Sequence, residues 1–150
     1  MRCVIQRVSR AKVSVDNKVI SEIGKGIMVL VGVAEPDDEK AFDYMAGKLV
    51  HLRIFPDEND KMNLSTLDIG GGILLVPNFT LYGDAHKGRR PSYIAGAPPN
   101  LAADIFESFV EYVKNQFDGK VESGEFGAHM HVELINDGPV TILLDSDKTF

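Results

Sequence analysis

Thr80 is the hydroxyl whose setting best suits chemistry. It lies in Pro77-Asn78-Phe79-Thr80-Leu81-Tyr82, directly after the apolar run Ile73-Leu74-Leu75-Val76 and before a long aperiodic stretch, residues 83–99. Binding and catalytic groups collect where a rigid strand ends against a long loop. Thr80 also suits a strand simply because it is β-branched, and no base sits beside it in sequence to activate it as a nucleophile. The other reactive side chains are less promising. Cys3 is the one cysteine, inside a run with strand alternation, where a buried inert thiol is expected. It rules out an internal disulfide framework and a cysteine-rich zinc site. His129 and His131 share one face of a strand, a spacing two metal ligands can use, but no third ligand lies nearby in sequence. The pairs Asp37-Asp38 and Asp57-Glu58 sit at a helix start and a turn, where capping and solvation account for them. Gly-x-Ser-x-Gly, Walker and dinucleotide-binding glycine patterns are absent.

Charge points to where an anionic partner would dock. The net charge of −6 argues against broad non-specific nucleic-acid binding. Yet residues 1–90 carry 13 Lys and Arg against 12 Asp and Glu, whereas residues 91–150 carry 3 against 10. The densest basic cluster is Lys87-Gly88-Arg89-Arg90, followed by Pro91. Three cations in a loop can be plain solvated surface, or a local phosphate contact.

A third stretch has a backbone peculiarity. Asn136-Asp137-Gly138-Pro139-Val140-Thr141 separates two alternating runs, Met130-Val132-Leu134 and Val140-Ile142-Leu144. Asp-Gly between strands predicts a hairpin turn, because glycine adopts positive φ freely. The following proline removes a donor where pairing should resume, and an X-Pro bond is where a cis peptide costs least.

The elements around these stretches follow from periodicity. Residues 2–8 and 11–15 read as strands, Asp16-Asn17 as a turn, and Lys18 to Ile23 as the returning strand. Ile27 to Val33 and Ile73 to Val76 are apolar enough to be buried on both faces. Phe42, Met45, Ala46, Leu49 and Val50 form one helical face behind Pro36-Asp37-Asp38-Glu39. Leu101, Ile105, Phe109, Val113 and Phe117 form another, with Asn100 as expected N-cap and Gly119 as terminator. Val121 to Phe126, Ala128 to Ile135 and Val140 to Leu144 read as the last strands. The order predicts one α+β domain over residues 1–150, with a curved, mostly antiparallel, barrel-like sheet and two main helices. With no apolar run near the ~20 residues that span a bilayer and a polar N-terminus, a soluble cytoplasmic protein is expected.

Six motifs in register then make the chain resemble the D-aminoacyl-tRNA deacylase family over nearly its whole length. They are Met1-Arg2 through Val8, Leu52-Arg53-Ile54-Phe55, Asn78-Phe79-Thr80-Leu81-Tyr82, Lys87-Gly88-Arg89-Arg90-Pro91-Ser92, Phe126-Gly127-Ala128-x-Met130 and Asn136-Asp137-Gly138-Pro139-Val140-Thr141. The resemblance implies a homodimer with active sites at the subunit interface. It implies hydrolysis of the ester joining a D-amino acid, or glycine, to the 3′-terminal adenosine of tRNA, without a metal or other cofactor. Gly138-Pro139 would be a Gly-cis-Pro turn entering the opposite subunit's site and excluding L side chains by backbone contact. Phe79 and Thr80 would be catalytic, their N–H groups candidates for an oxyanion hole. Asn78, Phe126, Ala128 and Met130 would bind substrate, and Lys87, Arg89 and Arg90 the acceptor stem. The proton would be handled by the substrate's own 2′-hydroxyl, the rival being Thr80 as covalent nucleophile. Where the family usually has Ser-Gln before Phe-Thr-Leu, this chain has Pro77-Asn78, with a shorter amide. A non-catalytic RNA-binding module is the alternative reading, and a metal-dependent hydrolase built on His129 and His131 a third.

Overall fold

A computed structural model of the chain describes residues 1–149. Its spine is β1 (Arg2–Val15), a single strand of 14 residues where two shorter strands are predicted. One edge of β1 pairs first with β3 (Gly26–Gly32) and then with β2 (Lys18–Ile23), both antiparallel. The β1–β2 turn uses Asp16 and Asn17 at φ 50° and 62°, the left-handed pair that matches strand twist. The other edge of β1 pairs with β8 (Met130–Asp145). β6 (Gly72–Pro77) runs parallel to β3, and β7 (Val121–Ser123) parallel to β6. The sheet is therefore mixed, with antiparallel pairing around β1 and parallel pairing beyond β3, and it curls into a nearly closed barrel-like form. β4 (Phe55–Pro56) and β5 (Met62–Leu64) make a separate small ribbon.

β3 and β6 are buried on both faces, as their composition requires. Ile27, Val29, Val31, Ile73 and Leu75 face the helices. Met28, Leu74 and Val76 face inward against Val8, Ala11, Val13 and Ile23. α1 (Glu39–His51) starts at Asp38, whose carboxylate accepts from the Lys40 and Ala41 N–H groups at 3.0 and 3.2 Å. α2 (Pro99–Gln116) lies on α1 through Phe109 and Phe42, ring centroids 5.4 Å apart. Asn100 does not cap it. The helix begins one residue earlier, with Pro99 in its first turn and no side-chain cap on it; proline there has its φ preset and no N–H to satisfy.

The C-terminal region corrects a larger expectation. Asn136 to Thr141 is not a hairpin, since both flanking runs belong to β8 and both pair with β1. Gln6 faces Thr141 and Val8 faces Asn136, so residues 137–140 stand opposite Arg7 alone. The segment is a bulge thrown out of a continuing strand. The predicted strand 121–126 likewise ends at Ser123.

The far end of β8 is fastened to the start of β1. Asp145 is 2% exposed. Its carboxylate accepts from the Thr149 hydroxyl at 2.5 Å, the Asp147 N–H at 2.9 Å and Arg2 Nε at 3.2 Å. Burial pushes this carboxyl up, but the three hydrogen bonds outweigh it and hold it below the usual carboxylate value. Such a group stabilises the fold above its unfolded pKa, and that share is lost as pH falls through the folded value. In urea unfolding, Asp145→Ala should cost about 2–3 kcal/mol at pH 7. The gap from wild type should narrow as pH falls below the ordinary carboxylate range.

Candidate functional site

A cavity of about 660 Å³ opens where the end of β6 meets the loop before α2 and the segment leading into β8. Pro77, Asn78, Phe79, Phe126, Ala128 and Met130 all line it, so the sequence-predicted substrate residues and Phe79 come together. Tyr93, Pro98 and Pro99 complete the wall and had no marker in the sequence beyond an aperiodic loop. Among the lining residues, only Asn78 and Tyr93 carry polar side-chain atoms. Gly124 makes the floor possible: a Cβ there would stand 2.7 Å from Met130 Sδ and 3.2 Å from Pro77 Cδ.

The cavity rim is a 3-10 turn, Phe79–Tyr82, capped by Asn78. Asn78 Oδ1 accepts from the Thr80 N–H at 3.3 Å and from the Thr80 hydroxyl at 2.5 Å. Thr80 is exposed and is not part of the cavity wall. Arg2 anchors the turn from below, donating to the Leu81 carbonyl at 3.2 Å with its guanidinium 4.6 Å from the Tyr82 ring centre. The basic residues lie in the adjoining loop. Asp84 and Ser92 exchange backbone hydrogen bonds of 2.7 and 2.8 Å, which closes a loop presenting Lys87, Arg89 and Arg90 to solvent. The His86 N–H and ring donate to Asp84 and hold that carboxyl below its ordinary range. Next along the chain, Tyr93 packs edge-on against Phe79 at 5.2 Å, which ties the loop to the cavity rim.

The Gly138-Pro139 peptide bond is cis, and Asp137, Gly138 and Pro139 are all exposed. Their bulge is held from beneath. Arg7 donates to the Asp137 carbonyl at 2.8 Å and to the Ile54 carbonyl at 2.7 Å, and its Nε lies 3.6 Å from the Asp137 carboxylate. Asn136 closes the loop: its Oδ1 accepts from the Val140 N–H at 3.0 Å while its Nδ2 donates to Gln6. Gly138 sits at φ 136°, where a Cβ would meet Arg7 Nη2 at 2.9 Å. Gly138 and Pro139 line no part of the cavity of their own chain. Their anchor, Arg7, lies five residues along β1 from Arg2, the anchor of the 3-10 turn, or about 17 Å of strand.

Residues 4–145 match the family described as D-Tyr-tRNA(Tyr) deacylase. The chain is 57% identical to the D-aminoacyl-tRNA deacylase of Thermosipho africanus and 56% identical to that of Clostridioides difficile, each over the full length of both chains. It belongs to the D-aminoacyl-tRNA deacylase family. Among solved structures it is similar to the c-Myc DNA unwinding element binding protein, with TM-score 0.91 and 39% identity over 97% of this chain and 98% of that one. A probable eukaryotic D-amino acid tRNA deacylase shares the fold, with TM-score 0.83 and 21% identity over 95% and 97% of the two chains.

Within this deacylase fold the remaining candidates separate clearly. Cys3 is buried and its thiol is pushed up to about 12 by that burial, so its thiolate is scarce at neutral pH. The His129 and His131 rings meet edge-on at 5.3 Å on an exposed strand face. Among the described residues no group of three His, Cys, Asp or Glu could hold a metal ion. Arg7, which braces the Gly138-Pro139 bulge, is a residue that sequence reasoning passed over. Its signal was available, because Cys3, Ile5 and Arg7 alternate onto one buried face of β1, where a cation needs partners. Arg7→Ala is expected to lower stability by about 2–3 kcal/mol. By hydrogen exchange it should also release the Val140 amide about tenfold or more, while amides in α2 hold their protection.

Proposed function

We propose that the chain hydrolyses the ester bond of D-aminoacyl-tRNA, and of glycyl-tRNA, and spares L-aminoacyl-tRNA. Family membership supports the reaction class. The observation that carries the reading to this molecule is the placement of the basic loop beside a cavity whose rim is Phe79. Such an arrangement suits a ligand with a phosphate backbone on one side and a terminal adenosine with its amino acid on the other.

The chemistry asks little of side chains, because an aminoacyl ester is already activated. Water attacks the carbonyl carbon, the bond to the ribose oxygen breaks, and the leaving oxygen takes a proton. Main-chain donors at the rim stabilise the charge that gathers on the carbonyl oxygen. The 2′-hydroxyl of the terminal ribose relays the proton. Thr80 is not the nucleophile: its hydroxyl is engaged by Asn78 and no base adjoins it. Gly138-Pro139 acts on the cavity of a second copy in a homodimer, which fits a turn that is exposed, braced from beneath, and absent from the cavity of its own chain. A braced backbone judges chirality without reading the side chain, because it meets only the substituents common to every α-carbon.

Deacylation of matched D- and L-aminoacyl-tRNA, with and without chelator, tests the reading. Release from the D form alone, indifferent to chelator, is expected. Binding without turnover would leave an RNA-binding module, and loss of activity in chelator would transfer the chemistry to a metal. In the same assay Thr80→Ala should stay within about fivefold of wild type, whereas a covalent nucleophile would cost far more. Replacing Lys87, Arg89 and Arg90 with alanine should weaken tRNA binding and flatten its salt dependence by about two to three units of log–log slope.

A further inference from the structure

Tyr44, Gly47, Lys48 and His51 recur at helical spacing on α1, on a stripe beside the buried one of Phe42, Met45, Ala46, Leu49 and Val50. With Leu52 and Arg53 they line an open groove of about 400 Å³. Lys48 Nζ stands 5.6 Å from the Tyr44 ring centre, and Lys148 Nζ, from the segment after β8, stands 5.5 Å from it. Among the described residues neither lysine pairs with a carboxylate. Asp57 and Asp68 lie near Arg53, but their oxygens accept from the N–H groups of Asn59, Lys61 and Ser65. A basic last turn complements a helix C-terminus by itself. Lys148 and Arg53 come from outside α1 and converge on the same stretch.

Gly47 is an independent sign that something docks here. Glycine is the poorest helix former after proline, and this one sits exposed in the interior of α1. A Cβ on it would meet nothing within 4 Å, so no neighbour in this chain requires a glycine. It leaves room for a ligand to approach the helix backbone closely. The position of the groove says which ligand. Leu52 and Arg53 run directly into Ile54, whose carbonyl shares the Arg7 guanidinium with the Asp137 carbonyl. The groove therefore adjoins the Gly138-Pro139 bulge, and none of its residues lines the cavity of its own chain.

We propose that this groove binds the ribose–phosphate backbone of the tRNA whose aminoacyl end occupies the partner subunit's cavity. This extends the hydrolase and homodimer reading and rests on it. Lys48, Lys148 and Arg53 meet phosphates, Gly47 lets the strand lie against α1, and Tyr44 offers its ring to a ribose. Each tRNA is then gripped by the basic loop of one chain and the α1 groove of the other.

Deacylation of D-aminoacyl-tRNA and of a D-aminoacyl ester of adenosine, run side by side, tests this. Lys48→Ala with Lys148→Ala should lower kcat/KM for the tRNA about tenfold and flatten its salt dependence by about 1.5 units of log–log slope, leaving the adenosine ester unchanged. Gly47→Leu should hold or raise the melting temperature while lowering tRNA turnover about threefold or more. Equal loss on both substrates, or tRNA turnover unchanged in these variants, overturns the proposal. A mixed dimer tests the crossing between chains. One chain carries the two lysine substitutions, and the other carries Ala128→Trp to block its cavity. The open cavity then faces an intact groove, so turnover per open site should match wild type; turnover as low as in the lysine variant assigns the groove to its own chain and overturns the proposal. A wild-type dimer inert on D-aminoacyl-tRNA would sink the hydrolase reading and this surface with it, whereas failure confined to the variants removes only the surface.

Discussion

One strand carries most of the pairing in the sheet. β1 is paired along both edges, and over its length its neighbour on one side changes from β3 to β2. A straight strand could not do this without leaving one apolar face in water. The register slips between Gln6 and Arg10 let β1 turn, and the turn folds its second half over β6. This encloses the cluster of Val8, Val13, Met28 and Leu74 on the side away from the helices. Arg2 and Arg7, which hold the 3-10 turn and the cis turn, are both residues of this strand. The bulge at Gly138-Pro139 leaves β8 where β1 bends, so the strand that shapes the core also decides where the exposed turn emerges.

The 3-10 turn and the cis turn are built by the same means. Each is a short irregular backbone segment whose shape is dictated by a side-chain amide and an arginine. Asn78 and Arg2 hold the first; Asn136 and Arg7 hold the second. Both arginines donate to main-chain carbonyls that irregular backbone would otherwise leave unmatched. Arg7 is buried while it does so, which makes its bonds costly to lose. Bracing of this kind fixes the backbone of both turns from beneath.

Much of the fold was legible because burial imposes strong periods. The α1 face, the doubly buried β3 and β6 and the Asp16-Asn17 hairpin all follow from residue type and spacing. The bulge did not. Alternation on either side of Asp137-Gly138 is identical whether the strands pair with each other or continue along a third, and only the length of β1 decides. Asn100 misled because two prolines had already set the helix start. In the site, Asn78, Phe126, Ala128 and Met130 were found through their motifs. Tyr93, Pro98 and Pro99 were not, since a wall made by an irregular loop has no period. The duty of Asn78 toward Thr80 was hidden as well, because it depends on a side-chain length matched to one turn of backbone.

The floor of the cavity has a further consequence. Met130 lies against Gly124 so closely that even a methyl group on that glycine would crowd the sulfur. A sulfoxide oxygen on that face of Met130 would meet the same crowding and would set a strong dipole into an apolar wall. Oxidation of that sulfur would therefore reshape the cavity wall, whereas Cys3 lies buried in the core on the helix side. A sulfoxide reductase would be what restores it.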